Sequence, residues 1–290
     1  TALAVLMAPA LSVADLTRIS AEIAARSGNI ERIVRTAEYP VTAIEVAVSG
    51  VPAVELKQAL APIATGIGVD IAVQSADIIR QGARLVVMDV DSTLIQDEVI
   101  DLLAREAGCE AAVAAVTERA MAGELDFAES LRERVAALAG TPESALATVR
   151  DAVRLTPGAR TLCRTLISLG YKLALVSGGF AEIVGPLAAQ LGVHRFRANT
   201  LEVVDGVLTG RVIPPIVDRA GKAQALREFA DEFGFALTRT VAIGDGANDL
   251  DMLATAGLGV AFNAKPAVAA AADASVTAPY LDSVLYLLGI

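Results

Sequence analysis

The chain of 290 residues carries one histidine, two cysteines and a deficit of positive charge. His194 sits in an apolar setting away from every polar cluster, which suits a structural role and argues against chemistry through a phosphohistidine. Cys109 and Cys163 are far apart and form no CxxC pair. They read as small buried thiols of a reducing compartment, as in a cytoplasmic protein. Lys and Arg total 24 against 34 Asp and Glu, a net charge of -10. That balance opposes non-specific binding to nucleic acid or to an anionic membrane surface. It does not oppose a small anionic substrate, because a local pocket can reverse the sign. No uninterrupted apolar run reaches membrane-spanning length. The apolar opening, 1–11, lacks a preceding basic segment and runs into a polar helix pattern, so it predicts a first strand and not a signal segment. The chain opens on Thr1, not Met, which leaves a trimmed start open.

What is present is a large apolar complement. Hydrophobic residues make up 54% and charged residues 20%, enough for a sizeable core and against disorder. The length suggests about two domains. Residues 1–80 alternate as strand, helix, two strands, helix, strand, with strands near 2–7, 29–36, 41–49 and 69–74 and helices near 13–26 and 53–63. That order predicts a ferredoxin-like α+β sandwich, with Tyr39-Pro40 turning between the middle strands. Residues 81–290 read as a second domain. A strand ending at Asp89 is followed by a wholly helical stretch, 97–156, which interrupts a strand–helix alternation that resumes at Thr156-Pro157. We therefore expect a helical-bundle cap inserted into an α/β domain. Its core is a Rossmann-like, doubly wound parallel sheet covered on both faces. A hairpin is expected to turn at Asp205-Gly206.

Three polar clusters each follow an apolar strand: Asp89 with Asp91, Ser177-Gly178-Gly179, and Gly244 to Asp249. In an open parallel sheet, ligands bind beyond the carboxyl ends of the strands, so the three converge on one pocket. Two carboxylates one residue apart beside a core are costly for folding. A site that holds a hard cation and moves a phosphoryl group accounts for them. Mg²⁺ takes carboxylates, waters and phosphate oxygens. Ser177 and nearby backbone N–H groups can receive phosphate, Gly178 and Gly179 allow close approach, and Lys222 offers a point charge. One Asp can attack phosphorus while another carboxyl moves the proton.

Asp89–Thr93, Ser177, Lys222 and Gly244–Asp249 resemble the four motifs of the haloacid dehalogenase-like superfamily, over about residue 84 to the end. The longer strings, 88–95, 97–98, 127–135, 176–180 and 244–250, resemble the branch that hydrolyses O-phospho-L-serine to L-serine, the last step of serine biosynthesis. The resemblance implies Asp89 as nucleophile and Asp91 as proton donor and acceptor. It implies Mg²⁺ on the side chains of Asp89 and Asp245 and the backbone carbonyl of Asp91, with Asp249 supporting the metal shell. It places Ser177, Gly178, Lys222 and Asn248 on the phosphoryl group, and Glu98 and Arg134 on the ammonium and carboxylate of the amino acid. Met121 and Phe127 match cap residues that close over the substrate. The N-terminal module resembles an ACT domain, which implies serine binding there; the open edge of its sheet can pair with a second copy, so a homodimer is expected. Taken singly, Lys222 reads as a surface lysine, Glu98 and Arg134 as solvated helix faces, and Met121 and Phe127 as core. Two other classes stay open: a phosphotransferase or mutase on another small phosphometabolite, and a serine-sensing regulatory protein, whose catalytic set is expected to show gaps. None is visible.

Overall fold

The computed structural model describes residues 1–75 and 84–290. The domain boundary expected at 80/81 lies outside these residues. The first unit runs β1 (Ala2–Ala8), α1 (Val13–Ala25), β2 (Asn29–Ala37), β3 (Thr42–Ser49), α2 (Ala53–Ile67) and β4 (Asp70–Ser75), the expected order. Its strands form an antiparallel sheet ordered β2-β3-β1-β4. Ser12 and Asp15 cap α1 reciprocally, each satisfying an N–H that the first helical turn leaves free. Helix α2 runs four residues past the expected end, with Pro62 inside it. The buried stripe of Leu56, Ala59, Leu60 and Ala64 continues across the proline, and that packing outweighs one lost backbone bond.

The second unit opens with β5 (Leu85–Met88) and then leaves the sheet for a cap of four helices. These are α3 (Val99–Glu106), α4 (Glu110–Met121), α5 (Phe127–Ala136) and α6 (Ser144–Ala152). The chain returns through α7 (Ala159–Ser168), β6 (Lys172–Phe180), α8 (Ala181–Leu191), β7 (Arg195–Val204), β8 (Val207–Ile213) and α9 (Arg219–Phe233). It ends with β9 (Thr240–Gly244), α10 (Leu250–Thr255), β10 (Leu258–Phe262), α11 (Pro266–Ala271), β11 (Ala274–Val276) and α12 (Val284–Leu287). Strands β11-β10-β9-β5-β6-β7 are parallel. Alternate residues of β5 feed two different cores: Val86 and Met88 one, Leu85 and Val87 the other. That is the signature of a sheet covered on both faces. The β7–β8 hairpin turns at Asp205 and Gly206, both at positive φ. It also reaches the cap, where Gly140 N–H donates to Leu208 O at 2.9 Å and Glu143 N–H to Gly206 O at 2.8 Å.

The two linkers of the cap lie side by side. Ile95 and Leu155 form an antiparallel bridge, Gln96 N–H donates to Arg154 O at 2.9 Å, and Asp97 pairs with Arg154 at 2.7 Å.

The two units are joined edge to edge through their sheets. Among the described residues they form one sheet of eleven strands, joined where Ala72 of β4 pairs antiparallel with Ala274 of β11. Asp70 Oδ2 accepts from Thr277 N–H at 2.6 Å, and Gln74 Nε2 donates to Leu287 O at 3.1 Å. Even residues of β1 pack with α1 and α2, whereas Val5 and Met7 belong to the same buried cluster as Leu281, Val284, Leu285 and Leu287. The N-terminal sheet thus has helices on one face and the second unit on the other.

His194 is structural, as expected: its Nδ1 accepts from Leu173 N–H at 3.2 Å and its ring stands edge-on to Phe233. Cys109 and Cys163 are free thiols, and burial pushes the Cys163 thiol up to about 11. Among the described residues no helix is long and apolar enough to cross a membrane.

Candidate active site

The carboxyl ends of β5, β6 and β9 bring the three polar clusters to one cavity of about 390 Å³, a size that suits a small metabolite. Asp89 follows β5 and its N–H donates to Ile243 O of β9 at 2.9 Å. The chain then turns tightly through Val90–Leu94, with Ser92 at φ +55°. A non-glycine residue in that region is strained, and the turn aims Asp91 back across the sheet. Both Asp91 oxygens are held: Val99 N–H donates to Oδ1 at 2.8 Å and Ser177 Oγ to Oδ2 at 2.9 Å. The Ser177 hydroxyl in turn accepts from Gly179 N–H at 2.7 Å. A Cβ on Gly179 would lie 2.8 Å from Asp91 Oδ2 and 3.0 Å from Ser177 Oγ, so only glycine lets the β6 end sit this close.

Lys222, in the first turn of α9, is 1% exposed. Its ammonium lies 2.7 Å from Asp89 Oδ1 and 2.7 Å from Asp249 Oδ1. Asp249 Oδ2 accepts from Gly246 N–H at 3.0 Å. Each Asp249 oxygen thus has a protein partner, which fits a supporting place. Asp245 Oδ1 accepts from Thr93 Oγ1 at 3.1 Å.

The electrostatics follow from this packing. Burial, then the Asp249 carboxylate, push the Asp89 carboxyl well above its usual range, against the pull of Lys222. Burial raises Asp91 as well, against the hydrogen bonds it accepts. Burial and the Asp249 carboxylate lift Asp245 to about 6. Burial alone would discharge Lys222, but Asp89 and Asp249 outweigh it and hold the ammonium charged.

Such crowding of carboxylates fits a divalent cation. Asp89, Asp245 and Asp249 each offer an oxygen, all within 4.8 Å of one another. Asp89 Oδ1 is buried, and beyond the Lys222 ammonium at 2.7 Å no group holds it among the described residues. An oxygen with a free lone pair in a cluster of hard ligands is what a hard cation requires.

On the cap side, Glu98, Phe127 and Arg134 line the same cavity, with Gly178 and Asn248 opposite. Glu98 takes a hydrogen bond from Ser92 Oγ at 2.7 Å. Incomplete hydration in the cavity, then the Asp91 carboxylate, raise its carboxyl to about 7. Among the described residues Arg134 makes one long hydrogen bond, 3.4 Å, to Ser130 O, which leaves most of its guanidinium donors to a ligand. Ser177 and Lys222 stand behind the cavity wall. Met121 does not reach the cavity: it is 74% exposed and borders a neighbouring hollow beside Phe127 and Arg134.

Sequence reasoning missed three groups. Thr93 lies within the Asp89–Thr93 string, so its position was visible but its bond to Asp245 was not. Lys265 lines the cavity from the N-cap of α11 without any motif to signal it. Asn199 is fully buried and braces the Gly178 loop, donating to Gly178 O at 2.8 Å and accepting from Val217 N–H at 2.7 Å; nothing in the sequence marks it.

Residues 86–254 match the haloacid dehalogenase-like hydrolase family, and residues 1–74 match the ACT domain. A phosphoserine phosphatase of Streptomyces coelicolor is 62% identical over 272 residues, 94% of this chain and 66% of the relative. A phosphoserine phosphatase of Mycobacterium tuberculosis is 51% identical over 282 residues, 97% of this chain and 69% of the relative. The chain thus spans about two thirds of the length of these relatives. Among solved structures, a probable phosphoserine phosphatase from Vibrio cholerae superposes with a TM-score of 0.77 at 36% identity, covering 99% of this chain and 86% of that one.

Proposed function

Because the chain belongs to the haloacid dehalogenase-like hydrolases, we propose that it hydrolyses O-phospho-L-serine to L-serine and phosphate, with Mg²⁺ as cofactor. One observation carries this reading. Glu98 and Arg134 of the cap share a single cavity with Asp89, Asp91 and Asp245, so groups that suit an ammonium and a carboxylate face groups that suit a phosphate.

The side chains of Asp89 and Asp245 and the carbonyl of Asp91 would hold the cation, which supplies positive charge to the phosphate oxygens. The chain's own groups do the rest. An Asp89 oxygen attacks phosphorus, forming an acyl-phosphate bond as the ester P–O bond breaks. Asp91, whose carboxyl burial shifts toward the protonated form, gives a proton to the departing serine oxygen. The Asp91 carboxylate then takes a proton from water, which attacks phosphorus, frees the Asp89 carboxylate and releases phosphate. Lys222, from behind the cavity wall, and the N–H of Gly178 offset charge on the transferring group, and Asn248 stands beside it in the cavity wall. Phe127 excludes water from the cap side.

The ACT domain supports serine binding by the N-terminal unit. The outer strand β2 supports a homodimer, since its far edge has no strand partner among the described residues and an open edge invites pairing. The free thiols support a cytoplasmic location. The reading is tested by phosphate release across a panel of phosphomonoesters, with and without chelator. Metal-dependent release favouring phosphoserine is expected. Release that needs an added acceptor would instead indicate a phosphotransferase.

A further inference from the structure

We propose that Thr156 is a positioning residue for the Asp245 carboxylate, acting through Thr93 from the point where the cap rejoins the core. The inference rests on the reading of Asp245 as a metal ligand.

Thr156 is 6% exposed and Thr93 fully buried. Thr156 Oγ1 donates to Thr93 O at 2.7 Å, and Thr156 N–H donates to Leu94 O at 3.0 Å. These two bonds grip consecutive carbonyls of the turn that follows Asp91. They fix the orientation of Thr93, whose hydroxyl donates to Asp245 Oδ1. That bond occupies one Asp245 oxygen and leaves the other for a cation. Hydrogen bonds of this kind orient metal ligands and tune their affinity.

Thr156 is itself anchored from outside. Leu281 N–H donates to Pro157 O at 2.8 Å. Gly158, at φ +83°, leaves room for Asp282: a Cβ there would lie 2.1 Å from its Oδ1 and 2.8 Å from its N. The return linker is thus clamped between the segment before α12 and the turn that carries the nucleophile. A hydroxyl at 156 passes that fixed position inward, whereas an apolar residue of the same shape would not.

The test is metal affinity of the full chain, measured by calorimetry with Mg²⁺ and with Mn²⁺. Thr156→Val is expected to weaken binding about tenfold or more and to lower kcat while leaving the KM for phosphoserine within twofold. Thr156→Ser, which keeps the hydroxyl, is expected to stay within twofold of wild type throughout. Thr93→Val should weaken binding similarly, and the two Val substitutions together should be no worse than Thr93→Val alone, because one acts through the other. Should Thr156→Val fail to fold, Thr156→Ala serves in the same cycle. Additive losses, or metal binding unchanged in Thr156→Val and Thr156→Ala, would overturn the inference while leaving the proposed function intact. A wild-type chain that binds neither cation would remove the metal reading itself.

Discussion

The ammonium of Lys222 stands 2.7 Å from Asp89 Oδ1, and both side chains are almost wholly excluded from solvent. One cation thus sits among the carboxylates before any metal arrives. Removing one partner of a buried ion pair costs about 3–5 kcal/mol, so Lys222→Met should melt well below wild type when free of metal. Added magnesium should raise its melting temperature more than it raises that of wild type, since the metal restores positive charge to the same cluster. Scanning calorimetry of both proteins with and without magnesium reads the difference. Equal shifts would show that the lysine and the metal do not share this role.

Asp89→Asn keeps the shape of the side chain and removes its nucleophilic charge. Phosphate release should fall on the order of 10⁴-fold or more, as in other enzymes stripped of the nucleophile. Turnover like that of wild type would exclude attack by Asp89.

The raised carboxyl of Glu98 gives a pH dependence with a definite sign. A carboxyl lifted to about 7 is neutral below that pH and loses its attraction for an ammonium. A divalent cation at nearby Asp245 opposes the lift, so the change belongs at or below pH 7 in the metal-loaded enzyme. There, kcat/KM for phosphoserine should fall with decreasing pH more steeply than for an aryl phosphate, which has no ammonium. Glu98→Gln should remove that extra limb. Parallel profiles for both substrates in wild type would place Glu98 outside recognition.

Arg134→Ala separates substrate recognition from chemistry. A charge-assisted hydrogen bond contributes about 1.5–3 kcal/mol, which corresponds to roughly 10–150-fold in kcat/KM for phosphoserine. An aryl phosphate should lose far less. Equal losses on the two substrates would mean that Arg134 supports the cap and not the ligand.

Much of this site was legible in the sequence because its chemistry is tied to strand ends. Asp89, Ser177 and Asp245 each follow an apolar run, and parallel sheets gather such residues at one edge. Helix and strand order were legible for the same reason: periodicity reports burial. Contacts set by three-dimensional packing were not. Asn199 lies in a strand with no motif around it, yet it carries the Gly178 loop. Met121 shares a helix-turn pattern with core residues, but α4 ends there and the side chain turns to solvent. Pro62 reads locally as a stop, and only the buried stripe on either side explains why α2 continues. The junction of β4 with β11 rests on one residue pair, Ala72 with Ala274, and alanine at a strand edge carries no signal of its partner.

That junction has a consequence for synthesis. Gln74 meets Leu287 across 213 positions of sequence, and Val5 and Met7 share their cluster with Leu285 and Leu287. Strand β1 therefore leaves the ribosome well before its second face is covered, since the residues that cover it are made more than 200 positions later. At about 5–20 residues per second, that interval lasts on the order of ten seconds or more, with Leu3, Val5 and Met7 exposed to whatever else is nearby. Of the two units, the one made earlier is the later to reach its finished environment.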